Sequence, residues 1–472
     1  MHEESLATFE KKLRGDVLRP GSDLYERGRK LWNGLVDKHP ALIVRCADTA
    51  DVIEALRFAR ERNLGVAVRG GGHNVAGLAS ADGGLVIDLS EMNDVLVDPA
   101  KRVARAEGGA TIADLDRATQ AYGLAAPMGV VSETGIAGLT LSGGVGWLRN
   151  KFGLSCDNLV GAEVVTASGE LVHASETEHS ELLWGLKGGG GNFGVVTAFE
   201  YRLHEVGPNV MFAFVLYPRA RTTEVLRGFR DYHASAPDEV SALIEHGVVP
   251  ATPSFPDALH GEPFTAVAAM YAGDPAQGEK VLKPLRELDE PMLDLSDVMP
   301  YLEVQRIFDD DYPDGRLYYW KSTFLNSLSD EVIARLVEHA NAAPSKLSTV
   351  DLWACGGAMN RVSPGETAFG ARQAPYLLAV EANWEDPGTI DANIRWARDV
   401  VKDMQRFGGG RYLNFPGFYE DDTVLREIYG ENYQRLVELK GRYDPDNVFR
   451  LNQNIRPASM SAESPREHGR TE

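Results

Sequence analysis

The sequence predicts an α+β protein made of two unlike domains, and three observations point to it. Near the N-terminus, short apolar runs alternate with a helical pattern and end in glycine-rich loops, the signature of a β-α-β unit. After Gly207-Pro208 the composition shifts, and spaced strands and helices follow in the manner of an antiparallel sheet backed by helices. The chain is also long, 472 residues, more than one hydrophobic core comfortably holds.

The elements follow in order. Residues 5–15 have an amphipathic helical pattern that Pro20-Gly21 ends, and Ala41–Arg45 is a strand. Asp48-Thr-Ala-Asp51 carries N-cap chemistry before a helix over Val52–Arg60, whose apolar positions are 52, 53, 56 and 59. A strand at 65–69 completes β-α-β. Strands follow at 84–89, 93–97 and 102–107, then a helix over Thr111–Tyr122 that Gly123 stops. Beyond Trp147 come strands near 159–166 and 170–174, a helix at 179–185 and a strand at 195–203. In the second domain the strands are expected at 210–217, 264–271, 316–325, 349–356 and 376–383, and the helices at 222–234, 276–288, 329–342 and 387–405. Met299–Gly315, rich in Asp, Pro and Tyr, reads as a loop and a candidate lid.

Composition narrows the function. With 48 basic and 69 acidic residues the formal net charge is −21, which argues against nucleic acid or an anionic membrane as partner. No apolar run approaches the ~18 residues of a membrane span, and Cys46, Cys156 and Cys355 have no metal or disulfide spacing. The N-terminus lacks the basic and apolar regions of a leader, so the expectation is a cytoplasmic protein, with export of a cleaved precursor left open.

The chemistry concentrates in glycine-rich tracts. Arg69-Gly-Gly-Gly-His-Asn74 follows a buried strand, and a triple glycine can adopt positive φ and turn several N–H groups toward one anion. His73 sits beside that anion site, and Cys156 lies 83 residues on (156 − 73) in Gly153-Leu-Ser-Cys-Asp157. Two readings are open on these residues alone. One is a phosphate-bearing cofactor with an imidazole and a thiol beside it. The other is a tight turn with a satisfied histidine and a small buried cysteine. A second tract, Gly129–Trp147, could seat more of an extended ligand or serve close packing of small residues. A formal Gly-x-Gly-x-x-Gly at 189, 191 and 194 is followed by a β-branched strand instead of a helix, which excludes a Rossmann nicotinamide site.

Arg69–Asn74 together with Gly153–Asp157 resembles the berberine bridge enzyme-like flavoproteins, of the vanillyl-alcohol oxidase superfamily. The resemblance runs over Pro40–Leu203 and returns at Arg411–Pro457, in Tyr412-Leu-Asn-Phe-Pro416, the stretch Ile428–Phe449 and Asn452-Gln-Asn-Ile455. It implies an FAD-binding domain of the p-cresol methylhydroxylase type at 1–206, with its core from about 36. It further implies a returning segment at 411–457, while the composition shift bounds a second, substrate-binding domain at 207–410 and the polar stretch 458–472 reads as a flexible tail. FAD would be held covalently twice, through His73 to the flavin 8α carbon and through Cys156 to C6. The implied cofactor contacts are Arg69, Gly70, Gly71, Gly72, Asn74 and Gly77 in the first loop, then Val130, Thr134, Gly135, Gly138, Ser142, Gly144 and Gly146 in the second tract. Gly194, Val195 and Val196 follow, and Asn414 and Asn452 come from the C-terminal block. No metal is implied.

The resemblance also implies an oxidase that takes a hydride at flavin N5 from a hydroxyl-bearing carbohydrate or natural product, with O2 as acceptor and H2O2 as product. Small-molecule substrate and O2 are then the partners, and the chain a monomer or homodimer. An oxidative cyclase, an amine oxidase and a drug-binding resistance protein are the alternatives. Tyr412 is the implied base, sharing a face with Asn414 on an extended segment. A tyrosine titrates near ~10, so a base role needs a stabilising neighbour. Lys321 and Arg372 are the candidates for that charge. Glu381 points either into the cleft or to solvent, and Trp353 and Trp384 either line an aromatic slot or belong to the core. Phe415 and Gly417 replace the second Tyr and the Asp usual in the family's Tyr-x-Asn-Tyr-x-Asp.

Overall fold

The structure is a computed structural model that describes residues 3–418 and 422–460. Of the expected tail, only 458–460 lies within them.

Three sheets set the architecture. The first runs Asp16–Leu18, Leu42–Arg45, Leu85–Asp88, Val66–Arg69. The strands on either side of the helix Thr49–Glu61 are therefore not neighbours, as a simple β-α-β unit would have them. Leu85–Asp88 lies between them and pairs in parallel with both. It is buried at all four positions, and a strand covered on both faces belongs at the centre of a parallel sheet. The intervening helix starts where the sequence places it, with Asp48 accepting from the Asp51 backbone N–H. Asp51 itself is buried, and its carboxylate accepts three backbone N–H bonds of 2.9 Å from Arg14, Gly15 and Ala47.

A five-stranded antiparallel sheet follows, in the order Val95–Asp98, Val103–Glu107, Val195–Arg202, Leu159–Val165, Leu171–Ser175. The third sheet is nine-stranded and antiparallel throughout. Its central strands are Pro263–Tyr271, Val240–Val248, Thr349–Ala354, Tyr376–Trp384 and Leu317–Leu325. One face carries the helices Thr222–His233, Pro275–Arg286, Asp330–Asn341 and Ile390–Met404 over a core of Val215, Ile244, Val267, Leu352 and Trp384. The other face places Phe212, Leu243, Trp353 and Leu377 against Val131, Val145 and Trp147 of the second glycine tract. Alternation along each strand divides the residues this way, so Leu243 and Ile244 face opposite layers.

Val240–Val248 is a strand that the sequence reading omits. Glu245, His246 and Gly247 interrupt its apolar run, because Glu245 faces a cavity instead of the core. The stretch read as a loop or lid at 299–315 is made largely of turns, as a loop would be, and hydrogen bonds tie it to the neighbouring domain as a wall of the cleft. It holds the end of a strand, Asp297–Pro300, and a helical turn, Tyr301–Val304. Ser132 donates to Asp309 through its backbone N–H (2.7 Å) and its hydroxyl (2.6 Å), and Gln305 donates to the buried Asp116 at 2.9 Å. The returning segment packs Leu425, Tyr429, Leu436 and Leu439 against Leu182, Trp184 and Phe193.

Candidate active site

A long cleft runs between the glycine tracts, as floor, and the open face of the nine-stranded sheet, as roof. The floor depends on close backbone approach. A Cβ on Gly71 would lie 2.5 Å from the Gly135 nitrogen, and one on Gly135 would lie 2.3 Å from that of Gly71. Gly72 sits at φ +71°, where a side chain is strained.

Most residues expected to hold the cofactor line this cleft. They are Gly70, Gly71, Gly72, His73 and Asn74, then Val130, Thr134, Gly135, Gly138 and Ser142, then Gly194, Val196, Asn414 and Asn452. Others serve the frame. Arg69 is buried on Asp88 (2.7 Å) and the Gly28 carbonyl (2.5 Å). Gly77 turns at φ +66° against Val36, and a Cβ on Gly146 would strike the Met128 carbonyl. Val195 is buried in the core behind the floor. Gly144 acts through its N–H, described below.

His73 is half-buried and stacks on Trp32, ring centroids 4.1 Å apart, with Trp32 stacked in turn on Tyr318 at 3.9 Å. Its Nε2 is enclosed and has no hydrogen-bond partner among the described residues. Burial lowers its pKa to about 4, so the imidazole is neutral at pH 7, the state in which it is a nucleophile. An orphaned ring nitrogen over a glycine cradle is a fit for a flavin bonded at this histidine.

Cys156 is a correction. It is fully buried and does not line the cleft. Its backbone N–H donates to Gly143 O (2.9 Å), which fixes the residue beneath the tract, among Trp147, Leu148 and Leu154. Burial and the neighbouring Asp157 raise the thiol pKa, the reverse of what a nucleophilic cysteine needs. Arg372 is also away from the cleft. It is 1% exposed and grips Asp157 with two bonds of 2.8 and 2.6 Å. Lys321 is on the wrong side of its strand. Trp320 faces the cleft, so Lys321 points the other way, toward Pro416 and Gly417.

Tyr412 lines the cleft, 2% exposed. Its phenolic oxygen accepts from the N–H groups of Gly144 (3.1 Å) and Val145 (3.0 Å) and from Asn414 Nδ2 (2.8 Å). These three donors, and not a lysine or arginine, are the neighbours that favour its phenolate. Burial opposes them and pushes the pKa to about 12.

The roof brings Glu381 into the cleft, where its carboxylate accepts from Tyr312 Oη at 2.8 Å. Trp353 lines the cleft as well, whereas Trp384 lies in the core on the other face. Sequence reasoning missed Glu245, Asp351, Phe308, Tyr312 and Trp320, all cleft residues. For Glu245 and Asp351 a signal was present, a carboxylate set inside an apolar β run. Among the described residues no helix is long and apolar enough to cross a membrane, and no cluster could hold a metal ion.

The comparisons agree with this geometry. The FAD binding domain profile matches residues 40–175, and the profile described as berberine and berberine like matches 411–456. An FAD-linked oxidoreductase of Dictyostelium discoideum is 32% identical over 457 residues, 95% of this chain and 96% of its own length. The (R)-6-hydroxynicotine oxidase of Paenarthrobacter nicotinovorans is 32% identical over 461 residues, 94% of this chain and 97% of its own. The structure of a carbohydrate oxidase from Microdochium nivale superposes with a TM-score of 0.82 at 25% identity, covering 96% of this chain and 99% of that one. With that coverage, and with both matched segments contributing to one glycine-rich cleft, the chain belongs to the berberine bridge enzyme-like FAD-linked oxidoreductases.

Proposed function

We propose that this oxidoreductase is an oxidase that binds FAD along the cleft, joined to the chain at His73. It would act on a small molecule at a C–H bond beside a hydroxyl or an amine, with O2 as final acceptor and H2O2 as product. When bound, FAD supplies the hydride acceptor. The glycine floor gives the backbone access that a flat, extended cofactor needs. His73, neutral and held face-on by Trp32, offers a ring lone pair for the link. Tyr412 takes the proton that the substrate's O–H or N–H loses, its negative charge held by Gly144, Val145 and Asn414. The observation that carries this reading is the convergence of His73 and Tyr412 on one cleft. Relatives named as a nicotine oxidase and a carbohydrate oxidase support oxidase chemistry and leave both substrate types in play.

The position of Cys156 favours a single covalent link over two. The test is acid precipitation followed by a peroxide assay. The precipitate should be yellow for wild type and Cys156→Ala and colourless for His73→Ala, and a panel of amines and alcohols under air should yield peroxide from at least one. Colourless wild-type pellets would remove the link, and a panel silent in both peroxide and flavin reduction would remove the oxidase assignment.

A further inference from the structure

The roof of the cleft carries three carboxylates on three neighbouring strands. Glu245 pairs directly with Asp351, and Glu381 pairs with Thr349, two residues along the same face from Asp351. All three line the cleft. Asp351 and Glu381 are 5% and 2% exposed. Tyr312 satisfies one oxygen of Glu381, but Asp351 Oδ1 is enclosed with no hydrogen-bond partner among the described residues. Arg219 bears on the trio through Glu245. Its guanidinium is already committed to the carbonyls of Phe264 (2.9 Å) and Gly247 (2.8 Å).

Like charges placed opposite one another in a sheet destabilise it, and a buried carboxylate without a partner costs more. Burial raises the pKa of all three, and for Glu245 and Asp351 the neighbouring carboxylates add to it. The trio is not arranged to hold a metal, since no three such groups converge on one ion among the described residues. Its surroundings are aromatic, with Phe308, Tyr312, Trp320 and Trp353 lining the same part of the cleft. Carboxylates set in an aromatic wall are the pattern that recognises an organic cation, which gains from both the charge and the ring faces.

We propose that Glu245, Asp351 and Glu381, with the aromatic residues around them, form a subsite for a substituted ammonium group, so that the substrate is a cationic amine and not a neutral sugar. This rests on the reading of the cleft as the substrate site. The ammonium would lie under Asp351, replacing its missing partner, with Glu245 and Glu381 on either side.

The test compares two molecules of one shape, phenethylammonium and 2-phenylethanol, by calorimetry on the flavin-loaded protein without O2. The ammonium should bind at least about tenfold tighter in wild type, and Asp351→Asn and Glu245→Gln should each bring the two within about threefold, with the flavin spectrum unchanged. Lowering the pH from 8.5 to 6 should narrow the gap as Glu245, Asp351 and Glu381 take up protons. Asp311 and Tyr312 face the same group, and Arg219 stays charged, so neither reverses the trend. Equal binding in wild type overturns the proposal without any variant, and so does a preference that survives both substitutions. The peroxide assay separates the two readings. Peroxide from the alcohol with no ammonium preference sinks the subsite and keeps the oxidase. Ammonium preference with neither peroxide nor flavin reduction from any amine or alcohol keeps the subsite and sinks the oxidase.

Discussion

Replacing Tyr412 by Phe keeps the ring and removes one oxygen, and the structure says what that oxygen does. It accepts hydrogen bonds from Gly144 N–H, Val145 N–H and Asn414. The ring contacts with Phe369 and Phe415, at centroid distances of 6.3 and 5.1 Å, are unaffected. Asn414 retains a second partner, the Leu139 carbonyl at 3.1 Å, so the two backbone donors carry the structural loss. At about 1–3 kcal/mol for each buried donor left unsatisfied, Tyr412→Phe should cost roughly 2–4 kcal/mol of stability, allowing for some relaxation. The proposed flavin link at His73 does not involve this hydroxyl and should be unaffected. If Tyr412 is the base, flavin reduction by substrate should slow by about 10²–10⁴-fold, near 3–5 kcal/mol of barrier. Anaerobic stopped-flow, following loss of flavin absorbance after mixing with substrate, measures this step apart from reoxidation. Because burial holds the hydroxyl near 12, the wild-type rate should climb with pH through 10 without a plateau, and the Phe variant's should not. A Phe variant that reduces its flavin within a few-fold of wild type would refute the assignment and leave Tyr412 a wall with a structural hydroxyl.

Three further outcomes follow from the geometry. Arg372→Met should destabilise the protein by about 3–5 kcal/mol, read from chemical denaturation, since it strands the buried Asp157 carboxylate; a loss under 1 kcal/mol would contradict that pairing. Burial lifts Glu381 from the usual carboxylate value to about 7, so the folded state binds this proton more tightly than the unfolded chain does. Its contribution is present at low pH and is lost as pH rises through about 7, so Glu381→Gln should gain on wild type in melting temperature between pH 5 and 8, and an unchanged difference across that range would count against a raised pKa. His73 works in the opposite sense. With its ring free of flavin, its pKa of about 4 lies below the unfolded value, so its contribution is lost as pH falls from 6.5 toward 4, and His73→Ala should flatten the acid limb of the flavin-free protein's stability curve.

The sequence was most legible where backbone conformation does the work. The Gly-Gly-Gly-His loop and the tract with Gly135 read clearly, because only glycine permits the contact between Gly71 and Gly135. Helix starts such as Asp48 were also plain, since capping chemistry is local. The roof was not legible in the same way. Whether Glu381 faced the cleft or solvent depended on which side of the strand was covered, which no local pattern reveals. Lys321 failed for the same reason, being one residue out of phase with Trp320. Cys156 misled because a cysteine near a glycine tract looks the same whether it faces the ligand or lies beneath the tract. The full burial of its side chain among Trp147, Leu148 and Leu154 decides between them.

The floor of the cleft is finished by the last part of the chain. Asn452 donates to the Gly191 carbonyl at 2.6 Å, Lys440 Nζ to the Asn192 carbonyl at 2.9 Å, and Tyr412 takes the N–H groups of Gly144 and Val145. A growing polypeptide thus carries His73 long before it has the residues that complete the flavin's bed. If FAD is held along this cleft as proposed, its capture should follow synthesis of the C-terminal segment. A chain that stops before Arg411 would lack Tyr412, Lys440 and Asn452, and with them the groups that hold Gly144, Val145, Gly191 and Asn192.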